Sequence, residues 1–307
     1  MRGTVIKSTG SWYYVKNPDG ITVPCRIRGR LRIKGIRATN PVVVGDRVTF
    51  TMNKDEDTGV ITDIEERKNY IIRKASKLSS EYQLLASNID ILWLMATMSA
   101  PRTFTEFIDR ILVAAESFRI KTILLFNKID IYSPEELDKM EELTDIYTTI
   151  GYRCFKMSVL KGYGIKEVED LMVDNVNMIA GNSGVGKSAM IKAMEPGLNL
   201  NIGSISDAHQ AGKHTTTYAE MLELSNGIRI IDTPGIKGFG MIDIDKEELF
   251  HFFPEIFNES RYCQFHNCLH HREPKCAVRS AVEKGLISTS RYYNYLSMLT
   301  GTEEKYR

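Results

Sequence analysis

Through the first 64 residues apolar and polar positions alternate in short runs, at 3–6, 12–15, 21–27, 47–52 and 59–64, broken by Asn17-Pro18-Asp19-Gly20 and Val44-Gly45-Asp46. Period-two alternation between turn residues is the signature of half-buried strands. Five strands in so short a stretch predict a small closed barrel, and an OB-fold pairs such a curved sheet with basic loops. The charge-dense Glu65-Glu66-Arg67-Lys68-Asn69 predicts a linker leading out of it.

Past residue 86 the rhythm changes. Continuous apolar runs at 89–97, 121–126, 152–157 and 175–180 predict strands, and patterns between them predict helices over 105–118, 134–150 and 165–171, with another beginning at Lys187. The first helix carries Phe104, Phe107, Ile108, Ile111, Leu112 and Ala115 at three- and four-residue spacing, one apolar stripe. Strand and helix in alternation build a parallel sheet covered on both faces. Beyond about residue 245 only short helical patterns remain. The expected organisation is an all-β OB-fold barrel over 1–68, an α/β domain over 69–245 and a mainly α metal-binding module over 246–307.

The formal charge of the 307 residues is +1, but residues 1–50 hold ten Lys/Arg against two Asp/Glu, a local balance of +8. That end is where a polyanion is expected to bind. The longest apolar run is far too short for a membrane span, and the start lacks the layout of a signal peptide, so a cytoplasmic protein without a membrane partner is expected. Of the five cysteines, Cys263, Cys268 and Cys276 crowd together, which suits metal ligation in a reducing compartment.

Gly181-Asn182-Ser183-Gly184-Val185-Gly186-Lys187-Ser188 follows an apolar strand and opens a helix. Glycines there let backbone N–H groups converge on phosphate oxygens at the positive end of the helix. Lys187 is expected to reach the β- and γ-phosphates and Ser188 to ligate Mg²⁺, with Ala189 next in line. Asn127-Lys128-Ile129-Asp130 closes the strand 121–126, where open α/β sheets bind ligands, and its carboxylate can accept both the N1–H and the amine of guanine. Ser158 and Val159, after the next strand, read as a second base-contacting loop. Asp232-Thr233-Pro234-Gly235 suggests a water-mediated Mg²⁺ contact from Asp232 and a γ-phosphate-sensing N–H at Gly235; Thr215-Thr216-Thr217 offers Thr216 to the same ion.

Joined together these motifs predict a guanine-nucleotide domain. Their order is unusual, since Asn127 precedes Gly181, the reverse of ordinary GTPases. The sheet is therefore expected to be circularly permuted, a P-loop GTPase domain entered partway round. In that arrangement the segment after Gly235 runs straight into the last module, through which nucleotide state can pull on it.

Cys263-x4-Cys268-x-His270-x5-Cys276 supplies three thiolates and an imidazole, the donor set of one closed structural Zn²⁺ site. His266 and His271 break the spacing and read as surface groups. Taken with the permuted order, Lys213-His214-Thr215-Thr216-Thr217, Glu273-Pro274 and Arg291-Tyr292-Tyr293-Asn294-Tyr295-Leu296, the chain resembles the RsgA (YjeQ/YloQ) family of small-subunit-dependent GTPases over essentially its whole length. The resemblance implies an OB-fold, a permuted GTPase domain, a zinc domain, and ribosome-stimulated hydrolysis of GTP to GDP late in maturation of the 30S subunit, with 16S rRNA as partner and a monomeric protein. Asn182, Ala189 and Lys275 depart from the family pattern, and none is a metal ligand.

Two roles stay open. Ile236 stands where Ras-like proteins carry a water-orienting glutamine, so intrinsic hydrolysis should be slow, and His214 either positions the attacking water when the ribosome orders its loop or contacts rRNA or solvent. Arg26, Arg28, Arg30, Arg32 and Lys34, near Trp12, Tyr13 and Tyr14, form either an RNA-facing surface of charge and stacking groups or a merely solvated basic face. A GTPase serving another system, or a module that binds GTP without hydrolysing it, are the competing readings.

Overall fold

The computed structural model describes residues 1–27, 41–54, 56–74, 82–198, 219–232 and 244–301. Five strands, β1 (Arg2–Ser8), β2 (Tyr13–Lys16), β3 (Thr22–Ile27), β4 (Arg47–Met52) and β5 (Gly59–Ile64), follow one another as the alternation predicts. They run in the order β1-β2-β3-β5-β4, and β4 pairs back with β1, which closes the barrel. Inward positions Val5, Val15, Cys25, Val48, Phe50 and Ile61 are all fully buried and fill its interior.

A hairpin of β6 (Tyr70–Lys74) and β7 (Tyr82–Ser87) comes next, an element the sequence pattern did not reveal. The charged stretch before it is no free tether. Arg67 bridges back to the barrel, its Nε and Nη2 2.6 and 2.7 Å from the two oxygens of the wholly buried Asp46.

Then come β8 (Ile91–Ala96), α1 (Thr105–Ser117), β9 (Lys121–Phe126), α2 (Pro134–Thr149), β10 (Arg153–Lys156), α3 (Ile165–Met172), β11 (Val176–Ala180), α4 (Lys187–Met194), β12 (Glu220–Glu223) and β13 (Arg229–Asp232). The sheet order is β10-β9-β8-β11-β13-β12, parallel except for β12. The chain thus enters in the middle at β8, winds outward to β10, and returns to β11 on the other side of β8. Every residue of β8 and β11 is buried, as expected of central parallel strands with helices on both faces. Local chemistry sets the start of α2, where Ser133 and Glu136 form a reciprocal capping box with Pro134 in the first turn.

At the far edge β12 pairs antiparallel with β1, so barrel and parallel sheet share one hydrogen-bonded ladder. The last part holds a 3₁₀ turn (Leu249–Phe252), α5 (Pro254–Ser260), α6 (Ala277–Glu283) and α7 (Thr289–Thr300), and its core takes in Val113 of α1. Among the described residues no helix is long and apolar enough to cross a membrane.

Candidate functional site

The glycine-rich loop leaves β11 and enters α4 with backbone that side chains resist. At Gly186, φ is +113° and a Cβ would lie 2.3 Å from Asn127 Nδ2; at Gly181, φ is +148° and a Cβ would meet the Met95 carbonyl oxygen at 2.4 Å. Only glycine fits either place. Lys187 is buried, and its ammonium donates to the carbonyls of Gly181 (2.9 Å) and Asn182 (2.8 Å), which folds it under the loop. Next to it the Ser188 hydroxyl is buried with no hydrogen-bond partner. A buried oxygen left without a partner is costly. A divalent cation at the first turn of α4 would satisfy it, so the residues present fit Mg²⁺.

Asn127 joins the two halves of the pocket. Its Nδ2 donates to the Val185 carbonyl at 2.8 Å, across 58 positions of sequence, while its Oδ1 accepts the Val159 N–H at 3.1 Å. Lys128, in left-handed backbone with φ of +68°, reaches the Gly184 carbonyl at 2.7 Å and also that of Ala100. Asp130 projects from the 3₁₀ turn Ile129–Ile131 and is exposed, one oxygen accepting the Ser158 hydroxyl. Ser158 is in turn bridged to Tyr163 by two backbone hydrogen bonds of 3.0 Å. Ile129 donates its N–H to Met157, behind the same loop. The expected base-contacting residues therefore lie at one end of the sheet, with Asn127 and Lys128 bonded directly to the phosphate loop.

Some support came unforeseen. Behind Asn127, Tyr132 donates to its carbonyl and accepts the Met98 N–H at 2.9 Å; burial pushes this phenol up to about 12, so it stays a donor throughout the ordinary pH range. A lone tyrosine five positions past Asn127 carries no sequence signal for that role. β13 ends at Asp232, beside β11 and at the same end of the sheet as the phosphate loop. Thr216, His214 and Gly235 lie outside the described residues, as do Arg28, Arg30, Arg32 and Lys34. Arg26 is described, with its guanidinium 4.3 Å above the Trp12 ring.

In the last module Cys263, Cys268, His270 and Cys276 bring one donor atom each to within 4.8 Å of one another. The Cys263 and Cys276 sulfurs are 3.9 Å apart, and each lies 3.5 Å from His270 Nδ1. A tetrahedron with Zn–S of about 2.3 Å and Zn–N of about 2.0–2.1 Å has S···S edges of roughly 3.8 Å and S···N edges of roughly 3.6 Å. The spacing thus fits Zn²⁺ with Nδ1 as the histidine ligand. Burial and the neighbouring thiols push Cys268 up to about 12, and burial lifts Cys276 too. Burial lowers His270, which keeps the imidazole neutral and able to ligate.

Glu273, quoted in the sequence without a role, turns out to organise the knuckle. Its carboxylate accepts the backbone N–H groups of Leu269, His271 and Arg272 at 2.9–3.0 Å. Burial alone would raise this carboxyl, but those N–H groups hold it below its ordinary value. The hydroxyls of Tyr292 and Tyr295 reach the carbonyls of His270 and Leu269, both at 2.7 Å, and so orient the ligand-bearing loop. His266 is exposed and His271 half-buried; neither belongs to the cluster.

Comparisons with known proteins agree with this geometry. Residues 64–242 match the RsgA GTPase family model and residues 2–61 the RsgA N-terminal domain model. A protein of Christiangramia forsetii named small ribosomal subunit biogenesis GTPase RsgA is 52% identical over 100% of this chain and 98% of its own length. A Bacteroides fragilis protein of the same name is 51% identical, with 100% and 99% covered. Among solved structures, YjeQ from Thermotoga maritima aligns with a TM-score of 0.79 at 34% identity, covering 98% of this chain and 97% of that one. YloQ, described as a circularly permuted GTPase, aligns with a TM-score of 0.75 at 28% identity, covering 100% and 96%.

Proposed function

This chain belongs to the RsgA GTPase family, and from that membership and its pocket we propose that it hydrolyses GTP in the service of late 30S subunit maturation. The observation that carries the reading is the lashing of Asn127 and Lys128 to the phosphate loop at Val185 and Gly184. It supports a reading in which Asp130, proposed to select guanine, sits on the same turn that is held against the triphosphate-binding loop.

The loop N–H groups and Lys187 bind and orient the β- and γ-phosphates, and Lys187 exchanges its two carbonyl partners for phosphate oxygens. Mg²⁺, when bound at Ser188 with Thr216 and Asp232, supplies charge neutralisation across those phosphates. Asp130 accepts two donors of guanine while Asn127 holds the loop shape and Val159 closes over the base. Asn182, Ser183 and Ala189 complete the loop and first helical turn. His214 is proposed to position the attacking water once the small subunit orders its segment, since the side chain after Gly235 cannot do so. The Cys263, Cys268, His270 and Cys276 set holds a structural Zn²⁺ with no open position. Arg26, stacked on Trp12, together with Arg28, Arg30, Arg32 and Lys34, is proposed to face 16S rRNA.

The test is GTP turnover by the purified chain alone and with purified small or large subunits. Stimulation by small subunits, lost in Lys187→Ala and in His214→Ala at saturating subunit, is the expected outcome. Turnover indifferent to small subunits would defeat the assembly role, and full stimulation of His214→Ala would defeat the histidine's role alone.

A further inference from the structure

A cleft of about 350 Å³ opens on the seam where β1 of the barrel meets β12 of the parallel sheet. Its Arg229 stands at the start of β13, level with the start of β11, whereas the phosphate loop leaves the other end of β11. The cleft's apolar lining includes Ile6 and Met221, and four cations line it: Arg2, Lys16 and Arg47 from the barrel and Arg229 from β13. Two carboxylates, Glu65 and Glu223, oppose them, so four minus two leaves a surplus of two positive charges.

The acids are already engaged. Arg2 Nε stands 3.7 Å from Glu65, and Lys16 pairs with Glu223. That leaves the charge of Arg47 and Arg229 uncompensated by any carboxylate within the cleft. Arg229 spends one N–H on the Asp174 carbonyl at 2.8 Å. Arg47 is exposed and makes no side-chain hydrogen bond or ion pair among the described residues. Guanidinium groups present planar forks of donors that match phosphate oxygens two at a time, and they shed water more easily than an ammonium does. Here they come from the barrel and from the parallel sheet to line one space of ligand size.

We propose that this seam cleft is a second phosphate site, separate from the nucleotide pocket, that holds a phosphate group of an RNA backbone or of a free polyphosphate. Two neighbouring phosphodiester charges of an RNA backbone, or two charges of a polyphosphate, match the surplus of two. The bound group bridges barrel and sheet, and so it favours the β1–β12 pairing. Because β12 follows the segment carrying Thr216 and β13 ends at Asp232, the occupant touches the two strands that frame the expected Mg²⁺ contacts.

The experiment keeps the nucleotide pocket filled. Protein loaded with mant-GDP and Mg²⁺ is titrated with inorganic tripolyphosphate at low salt, with free Mg²⁺ held constant, while calorimetry reads binding and fluorescence reads retention of mant-GDP. Binding without mant-GDP release is expected. Arg47→Ala/Arg229→Ala should weaken it about tenfold or more, since each charged hydrogen bond contributes a factor of that order. Glu223→Gln, which frees Lys16, should tighten it about two- to threefold, a gain that no misfolded variant produces. An eight-nucleotide single-stranded RNA that competes with tripolyphosphate identifies backbone phosphate as the natural group; absence of competition identifies the free polyphosphate. The proposal is overturned if heat appears only as mant-GDP leaves, or if the double variant binds like the wild type.

Discussion

Besides the β1–β12 ladder, two seams join parts of this molecule, and each is built on a buried aspartate facing an arginine. At the barrel seam Asp46 is fully satisfied: Arg67 donates to both its oxygens, Ser87 Oγ adds a bond of 2.6 Å and the Val43 N–H one of 2.9 Å. One carboxylate meets one guanidinium, and the Pro41 carbonyl accepts from Nη2 as well, at 2.7 Å. At the zinc-module seam a single guanidinium serves two carboxylates. Arg291 of α7 donates to Asp109 of α1 at 2.6 Å and to Glu255 of α5 at 2.7 and 3.2 Å, while Tyr147 and Asn294 also donate to Asp109. The Arg291 side chain, 1% exposed, packs on Phe253 with its guanidinium 4.5 Å from the ring centroid. Burial alone would favour its neutral form, yet the carboxylates of Asp109 and Glu255 hold it firmly protonated.

The difference lies in charge balance and in reach. The barrel seam sets one carboxylate against one guanidinium and joins residues 21 and 41 positions apart, whereas the module seam sets two carboxylates, one of them the Asp109 carboxyl that burial raises, against one guanidinium and joins residues 182 positions apart. α1, which bears Asp109, starts just after the loop whose Ala100 carbonyl receives Lys128 and whose Pro101 lies against Gly184 of the phosphate loop. α1 therefore spans from the loop beside the nucleotide pocket to the last module.

The sharpest way to separate the seams is to remove the metal expected at Cys263, Cys268, His270 and Cys276. Stripping zinc with a chelator, or Cys268→Ser, should cost on the order of 10 kcal/mol in the module, because metal binding there is folding energy. Native-state hydrogen exchange would show α6 and α7 losing protection while the barrel keeps its own. Equal loss in both would mean that the seams are not independent.

A smaller effect comes from the arginines themselves. Arg291→Met leaves two buried carboxylates without their cation and should destabilise by roughly 3–5 kcal/mol. Arg67→Met leaves one, still bonded by Ser87 and Val43, and should lose roughly 2–3 kcal/mol. Denaturant melts followed by local exchange rank the two, and the reverse ranking would break the charge-balance argument.

The smallest expected change is a gain. Lys275 has φ of +53°, left-handed backbone that favours glycine, one residue before the ligand Cys276. Lys275→Gly should stabilise the knuckle by about 0.5–1 kcal/mol, read as a small rise in the module's melting temperature. A fall would show that the lysine side chain contributes more than its backbone strain costs.

Much of this was legible along the chain. The phosphate loop, the Asn127-Lys128-Ile129-Asp130 turn and the cysteine knuckle are local, because each chemistry needs its donors within a few residues of one backbone path. The permutation was legible too, since motif order along the chain is topology. The β6–β7 hairpin was missed because 70–87 mixes charge into a short pattern that neither period describes. Residues 65–69 do lead out of the barrel, but the anchoring of Arg67 was not legible, because nothing local reveals a charge whose partner, Asp46, lies buried in another element.

Sequence by itself therefore determined the parts and their chemistry: barrel, permuted nucleotide domain, metal knuckle, and the residues expected to touch GTP and metal. Tertiary structure alone decided how those parts are joined. Tyr132 behind Asn127, β1 paired on β12, the cationic cleft between them and the Asp109–Arg291–Glu255 cluster all depend on contacts between residues far apart in the chain. The physical reason is that a buried charge or an unpaired strand edge gains its stability only from the partner that packing brings, and a chain read in order carries no mark of that partner.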